Sequence, residues 1–145
     1  LDLRFEAERS RCERSGASCS VLLIDVDRFK RINDTEGLAA GDDVLRTLGA
    51  LLRRNLREHD VVARLGGDEF AVLLPEASAD HVVAAAQRLG TLAREVGISL
   101  SIGGATWPHD TVEMPVLFAA ADAQLYAAKH AGRGCAFVRG RRIDY

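Results

Sequence analysis

Hydrophobic positions recur along this chain with two periods, and each change of period marks the border of an element. Ser20-Val21-Leu22-Leu23-Ile24 runs straight into Asp25-Val26-Asp27, a β-branched and apolar stretch that predicts a buried strand over residues 20–27 ending in acid. Because side chains alternate along a strand, Asp25 and Asp27 are expected on the same side of it. Val44, Leu45, Leu48, Leu51, Leu52 and Leu56 then fall at helical spacing and predict a long amphipathic helix over about residues 40–57. Two apolar runs, 61–65 and 69–74, read as strands joined through Gly66-Gly67-Asp68, with Pro75 ending the second. A Gly-Gly pair between such runs is a hairpin signal.

Helical spacing returns over 79–95, where Val82, Val83, Ala86, Leu89 and Leu92 share one face. Residues 98–106 predict a further strand whose middle is weakened by Gly103-Gly104. A last helix is expected over about 115–131, stopped by Gly132, before a short edge strand over 135–138. Residues 2–15 are charge-rich, with little apolar stripe beyond Leu3, Phe5 and Ala7, and predict a short, mostly solvated helix. From the first strand onward the order β-α-α-β-β-α-β-α-β holds a hairpin inside an alternating pattern, which favours an α+β fold over a doubly wound parallel sheet. The expected architecture is a palm-like, mainly antiparallel central sheet of about five strands with surrounding helices, in the outline shared by ferredoxin-like folds and nucleotidyl cyclases. Outline alone carries no function.

A length of 145 residues suits one domain, 1–145, with one core. With 48% hydrophobic and 28% charged residues the chain is too apolar for a disordered tail. Nineteen Lys and Arg against 21 Asp and Glu leave a net charge of -2, so no global field draws it to nucleic acid or anionic lipid. Any polyanion must be held locally. No apolar run approaches the roughly 20 residues of a membrane span, and Leu1-Asp2-Leu3-Arg4 is no signal peptide; a domain without membrane contact is expected. Cys12, Cys19 and Cys135 are odd in number and form no C-x-x-C pair, which argues against a disulfide framework or zinc site and for a reducing cytoplasm. A first residue of Leu rather than Met suggests one domain of a longer polypeptide.

The candidate chemistry lies at strand ends. Asp25 closes the first strand, and Asp68 and Glu69 occupy the hairpin turn; sheet order that sets these ends side by side would let three carboxylates converge. Hard oxygen ligands with room for water and phosphate oxygens are what magnesium requires, and paired metals activate a hydroxyl against phosphorus. Acids at such places also cap turns and solvate strand ends. Gly66-Gly67 favours the functional reading, because a turn without side chains admits a bulky ligand to the backbone.

Gly66-Gly67-Asp68-Glu69-Phe70 resembles the signature of the GGDEF family, diguanylate cyclases that condense two GTP into cyclic di-GMP and two pyrophosphates. The rest of the chain agrees. Asp25-Val26-Asp27-Arg28-Phe29-Lys30-Arg31-Ile32-Asn33-Asp34 is similar to the family's D-x-D-x-F-K-x-x-N-D block, Gly41-Asp42 and Ser101-Ile102-Gly103 fall at its next positions, and 121–129 with Gly132-Arg133 at its last. The match spans residues 20–138 in order. Leu38 replaces the usual histidine, Gly134 the usual asparagine, and the leader D-x-L-T-G-L-x-N-R is absent from the N-terminus.

The resemblance implies roles residue by residue. Asp25, the carbonyl of Val26 and Asp68 would bind two Mg2+ or Mn2+ ions per half-site, Glu69 would complete the catalytic acidic cluster, and either acid of the turn, Asp68 by preference, would assist deprotonation of the 3'-hydroxyl, with water or phosphate as the other routes for the proton. Asn33 and Asp42 resemble the guanine readers, and the chemistry suits them: a carboxylate accepts from the N1-H and 2-amino donors, and an amide both donates and accepts. Backbone N–H groups of Arg28 and Phe29, with the charges of Lys30, Lys129 and Arg133, would hold phosphates. Arg57-Glu58-His59-Asp60, with Arg57 nine positions ahead of Gly66, resembles the R-x-x-D site where the product inhibits; Arg88 is placed like an additional arginine of that site. An R-x-x-D string elsewhere is usually a surface ion pair.

The reaction is symmetric, so a homodimer of domains facing each other is expected, driven by a sensory or dimerisation region N-terminal to this domain. The alternative is a catalytically weak receptor module for cyclic di-GMP or GTP. The intact acids favour the enzyme.

Overall fold

The computed structural model describes residues 3–111 and 113–145. Asp2, the first residue of the expected N-terminal helix, lies outside the described residues. In chain order the elements are α1 (Leu3–Ser15), β1 (Cys19–Val26), α2 (Phe29–Glu36), α3 (Leu38–Arg54), β2 (Val61–Arg64), β3 (Glu69–Pro75), α4 (Ala79–Glu95), β4 (Leu100–Trp107), α5 (Leu117–His130), β5 (Cys135–Val138) and β6 (Arg141–Asp144). A single 3-10 turn, Met114–Val116, leads into α5.

The strands form one sheet in the order β2-β3-β1-β4-β5-β6, antiparallel except between β4 and β5. β1 is buried along its whole length, and alternation divides it between two cores. Leu22, Ile24 and Val26 join Leu48, Leu52 and Leu89 of α3 and α4 on one face. Val21 and Leu23 join Phe5 of α1 and Leu117, Ala121 and Leu125 of the α5 side on the other. Asp25 therefore points to the α5 face, and so does Glu69, its direct partner across the β1–β3 ladder.

Four expectations are corrected. The strand over 135–138 is not at the edge: β5 is interior, because β6 pairs with its far side. Among the described residues the sheet has six strands, the sixth hidden from sequence reading because Arg141-Arg142-Ile143-Asp144 contains one apolar residue. Its turn places Arg139 and Gly140 at positive φ, as a two-residue hairpin requires, but with arginine where Asn or Asp would signal it. Gly103 does not weaken β4, which runs unbroken; a side chain there would strike the backbone of α5 at Ala121 and Leu125, so glycine is what lets helix and strand dock. α1 is less solvated than its composition suggests, since Phe5 and Cys12 are fully buried. No helix among the described residues is long and apolar enough to cross a membrane.

Candidate active site

β1 and β3 end side by side, and the N–H of Val26 donates to the carbonyl of Asp68 at 3.1 Å, which pins the hairpin turn to the end of the central strand. Asp25, Asp68 and Glu69 thereby share one neighbourhood. Burial pushes the Asp25 carboxyl above the usual carboxylate range, the Asp68 carboxylate adds to the rise, and Lys129 of α5, ion-paired with Asp25, opposes it. Burial also raises Glu69, with the charges of Asp25 and Asp122 contributing. For Lys129 burial works downward, but the bond to Asp25 and the surrounding acids outweigh it and hold the ammonium above its ordinary value.

Lys129 engages Asp25 Oδ2, whereas Asp25 Oδ1 is buried and has no hydrogen-bond partner among the described residues. A buried carboxylate oxygen left without a donor is costly unless something outside the chain completes it. Among the described residues no three carboxylate, thiol or imidazole side chains stand close enough to cage a metal by themselves. The donor set nevertheless fits magnesium, which is commonly held by one or two carboxylates plus water and substrate phosphates: Asp25, Asp68 and the Val26 carbonyl are the groups that would hold it.

Gly66 and Gly67 have no left-handed φ, and a Cβ at either would meet no atom within 4 Å. Nothing inside the fold therefore demands glycine at these positions. They leave the turn open to a ligand. Arg64 braces the turn from the end of β2, donating to the carbonyls of Gly66 at 2.9 Å and Gly67 at 2.8 Å.

Asp27, quoted in the motif but assigned no role from sequence, organises the neighbouring loop. Its carboxylate accepts from the hydroxyls of Ser99 and Ser101 at 2.5 Å each and from the N–H of Gly134 at 3.0 Å. The loop at 132–134, all at positive φ, is so tied to the end of β1, which brings Arg133 into the region. Arg28 follows in the left-handed conformation, φ 54°, and starts α2 with no side-chain cap. The first N–H groups of α2 stay available to an anion. Arg28, Lys30 and Arg133 are exposed, and Phe29 packs at the margin of the α3–α4 core.

Asn33 of α2 lies against Gly41, the residue before Asp42. A Cβ at Gly41 would collide with the Asn33 amide, so this glycine sets the approach of α2 to α3. Asp42 is exposed and lines a cleft of about 360 Å³ together with Leu45, Val62, Phe70 and the arginines Arg46, Arg53 and Arg64. Apolar faces from Leu45, Val62 and Phe70 beside the Asp42 carboxylate suit a flat heterocycle bearing donors, and the three arginines suit an anionic group attached to it.

A second cluster lies off this site, at the turn after α3. The Arg57 guanidinium donates to Asp60 Oδ1 at 3.2 Å and to the carbonyl of Pro75 at 3.1 Å, and the Arg57 N–H donates to Asp60 Oδ2 at 2.8 Å. Asp60 is sealed, its side chain 1% exposed, against 44% for Arg57. Arg88 of α4 reaches the same corner, donating to the carbonyl of Asn55 at 2.8 Å. Thus Arg57 and Arg88 face outward, and Asp60 anchors Arg57 from behind.

The chain is similar to known proteins of one family. The family described as diguanylate cyclase, GGDEF domain, matches residues 1–135. Diguanylate cyclase DosC of Escherichia coli K12 is 39% identical over 140 residues, covering 89% of this chain and 30% of DosC. The chain spans about a third of the length of the curated relatives it matches. The solved GGDEF domain of PA1120 (TpbB or YfiN) from Pseudomonas aeruginosa aligns with a TM-score of 0.82 at 39% identity, covering 93% of this chain and 84% of that one. The GGDEF domain of DgcB from Caulobacter crescentus, solved in complex with c-di-GMP, aligns at 0.81 and 28% identity, covering 91% and 84%.

Proposed function

The chain belongs to the GGDEF family of diguanylate cyclase domains, and from that premise we propose that it condenses two GTP into cyclic di-GMP and two pyrophosphates. The observation that carries this reading is the buried Asp25 Oδ1, without a donor, beside Asp68 and Glu69 under an open glycine turn. A receptor that only binds nucleotide has no need of an ionisable cluster held at such a cost.

Asp25, Asp68 and the Val26 carbonyl would hold two Mg2+ or Mn2+ ions per half-site, which when bound would supply Lewis-acid stabilisation of charge on the phosphates. Asn33 and Asp42 orient guanine. The N–H groups opening α2, with Lys30, Lys129 and Arg133, hold the β- and γ-phosphates and favour departure of pyrophosphate. Asp68 takes the proton of the 3'-hydroxyl that attacks the α-phosphorus of the GTP on a facing domain. Two such attacks close the ring, so two domains meet about a two-fold axis, brought together by a region outside this chain. Product binds at Arg57, with Asp60 behind it and Arg88 beside it, and lowers the rate.

Incubation with GTP and magnesium, with products identified by mass, tests the reading. Cyclic di-GMP and pyrophosphate are expected. Tight GTP binding with no turnover, even in a protein fused to a constitutive dimer, would replace the enzyme with a receptor.

A further inference from the structure

α4 begins at Ser78, whose hydroxyl accepts the N–H of His81 at 3.3 Å. Three residues before that cap stands the Pro75 carbonyl to which Arg57 donates, so the Arg57 turn and the first turn of α4 are joined. Arg88 lies seven residues after His81 on α4, two turns along the same face, and reaches the carbonyl of Asn55 at the end of α3. His81 thus stands on the corner that Arg57 and Arg88 border. The charged groups that face it are Arg57 and Asp60 from the turn and Arg88 from its own helix. Asp60 is spent on Arg57 through both of its oxygens, and on its other side Arg57 borders a pocket shared with Arg11, His59 and the acids Glu8 and Glu76.

We propose that His81 is a third basic contact of the inhibitory site and makes its occupancy proton-linked, so that the protein holds the dianionic cyclic dinucleotide more tightly as pH falls. The inference rests on the reading of Arg57 as a ligand of the product. In the free protein burial, then Arg57, with Arg88 adding and Asp60 opposing, hold the imidazole below its ordinary value. Two phosphodiester charges docked on the arginines reverse that field and favour the imidazolium. Binding then takes up a proton, and affinity rises as pH falls from above the free-state value.

Calorimetric titration with cyclic di-GMP at about pH 6 and about pH 8, in two buffers of different ionisation enthalpy, reads both effects. The parent is expected to bind up to about tenfold more tightly at the lower pH, the change that a rise of about one unit in the imidazole on binding would give. It is also expected to take up a fraction of a proton. His81→Gln should bind with one affinity at both pH values and no uptake. His59→Gln, which removes the exposed imidazole inside the Arg57 turn, should retain the parent's pH dependence. Arg57→Ala should lose affinity at both pH values. A parent without pH dependence or proton uptake, measured with no substitution at all, overturns the inference alone when Arg57→Ala still weakens binding. Proton uptake that survives in His81→Gln overturns it too. Arg57→Ala binding as tightly as the parent overturns the inhibitory-site reading and the inference with it.

Discussion

Two buried aspartates, Asp25 and Asp60, are each paired with a base, and their remaining surroundings differ. Asp60 uses both oxygens on the backbone and guanidinium of Arg57. Asp25 meets Lys129 through one oxygen, keeps the other without a donor, and is further disfavoured by burial and by Asp68. A saturated carboxylate fixes a neighbour's position; an under-satisfied one stores an unmet demand that a cation can answer. Asp27, two residues beyond Asp25, belongs with Asp60: three donors saturate it, and it holds a loop in place. Adjacent acids on one strand end thus divide between chemistry and architecture.

The sharpest break of this comparison is Asp25→Asn. Turnover should fall by roughly 10²–10⁴-fold, while stability at neutral pH stays level or rises by about 1 kcal/mol. The sign follows from the raised carboxyl: the native state holds this proton more firmly than the unfolded chain does, so the ionised group costs stability above its folded value. The parent regains that stability as pH falls toward the unfolded value, whereas the amide never loses it. Parent-like turnover, or a stability loss of core-mutant size in urea denaturation, would contradict the assignment.

Asp27→Ala should behave in the opposite way. It strips the acceptor from two hydroxyls and one N–H, at a cost of about 3 kcal/mol in denaturant unfolding, and activity falls through displacement of the 132–134 loop. Stability equal to the parent's would return Asp27 to an ordinary strand-end acid. Asp60→Ala comes next, at about 1–2 kcal/mol, because the Arg57 it frees is half exposed and can turn to water. Its affinity for cyclic di-GMP should weaken as Arg57 loses its anchor; unchanged affinity by calorimetry would show that Arg57 needs none.

The smallest effect is expected for Lys129→Met in the pH dependence of the rate. Removing the ammonium deletes the influence that opposes burial at Asp25, so the proton competes for that carboxylate to higher pH. The acid limb of the pH–rate profile should move upward by a fraction of a unit to about one unit. A limb that stays in place or moves down would remove Lys129 from the control of Asp25.

The chain's own order of residues determined much of this. A short β-branched and apolar stretch closing in acid favours a buried strand, and β1 is that strand. The α3 and α4 helices and the β2–β3 hairpin follow from periodicity and short-range turn chemistry, whereas the meeting of Asp25 with Asp68 and Glu69 was implied by motif resemblance and needed β1 and β3 to be neighbours in the sheet. Strand order did not follow, nor did β6, whose single apolar residue gains its place only by pairing with β5. Which acid is saturated was equally invisible. The donors to Asp27 come from 72 to 107 residues away, and Lys129 reaches Asp25 from α5 only because Gly103 lets that helix dock close to the sheet. Local sequence fixes which way a side chain points. Whether it then meets a donor, a like charge or nothing depends on partners distant in the chain, and only the folded sheet and its helices bring those together.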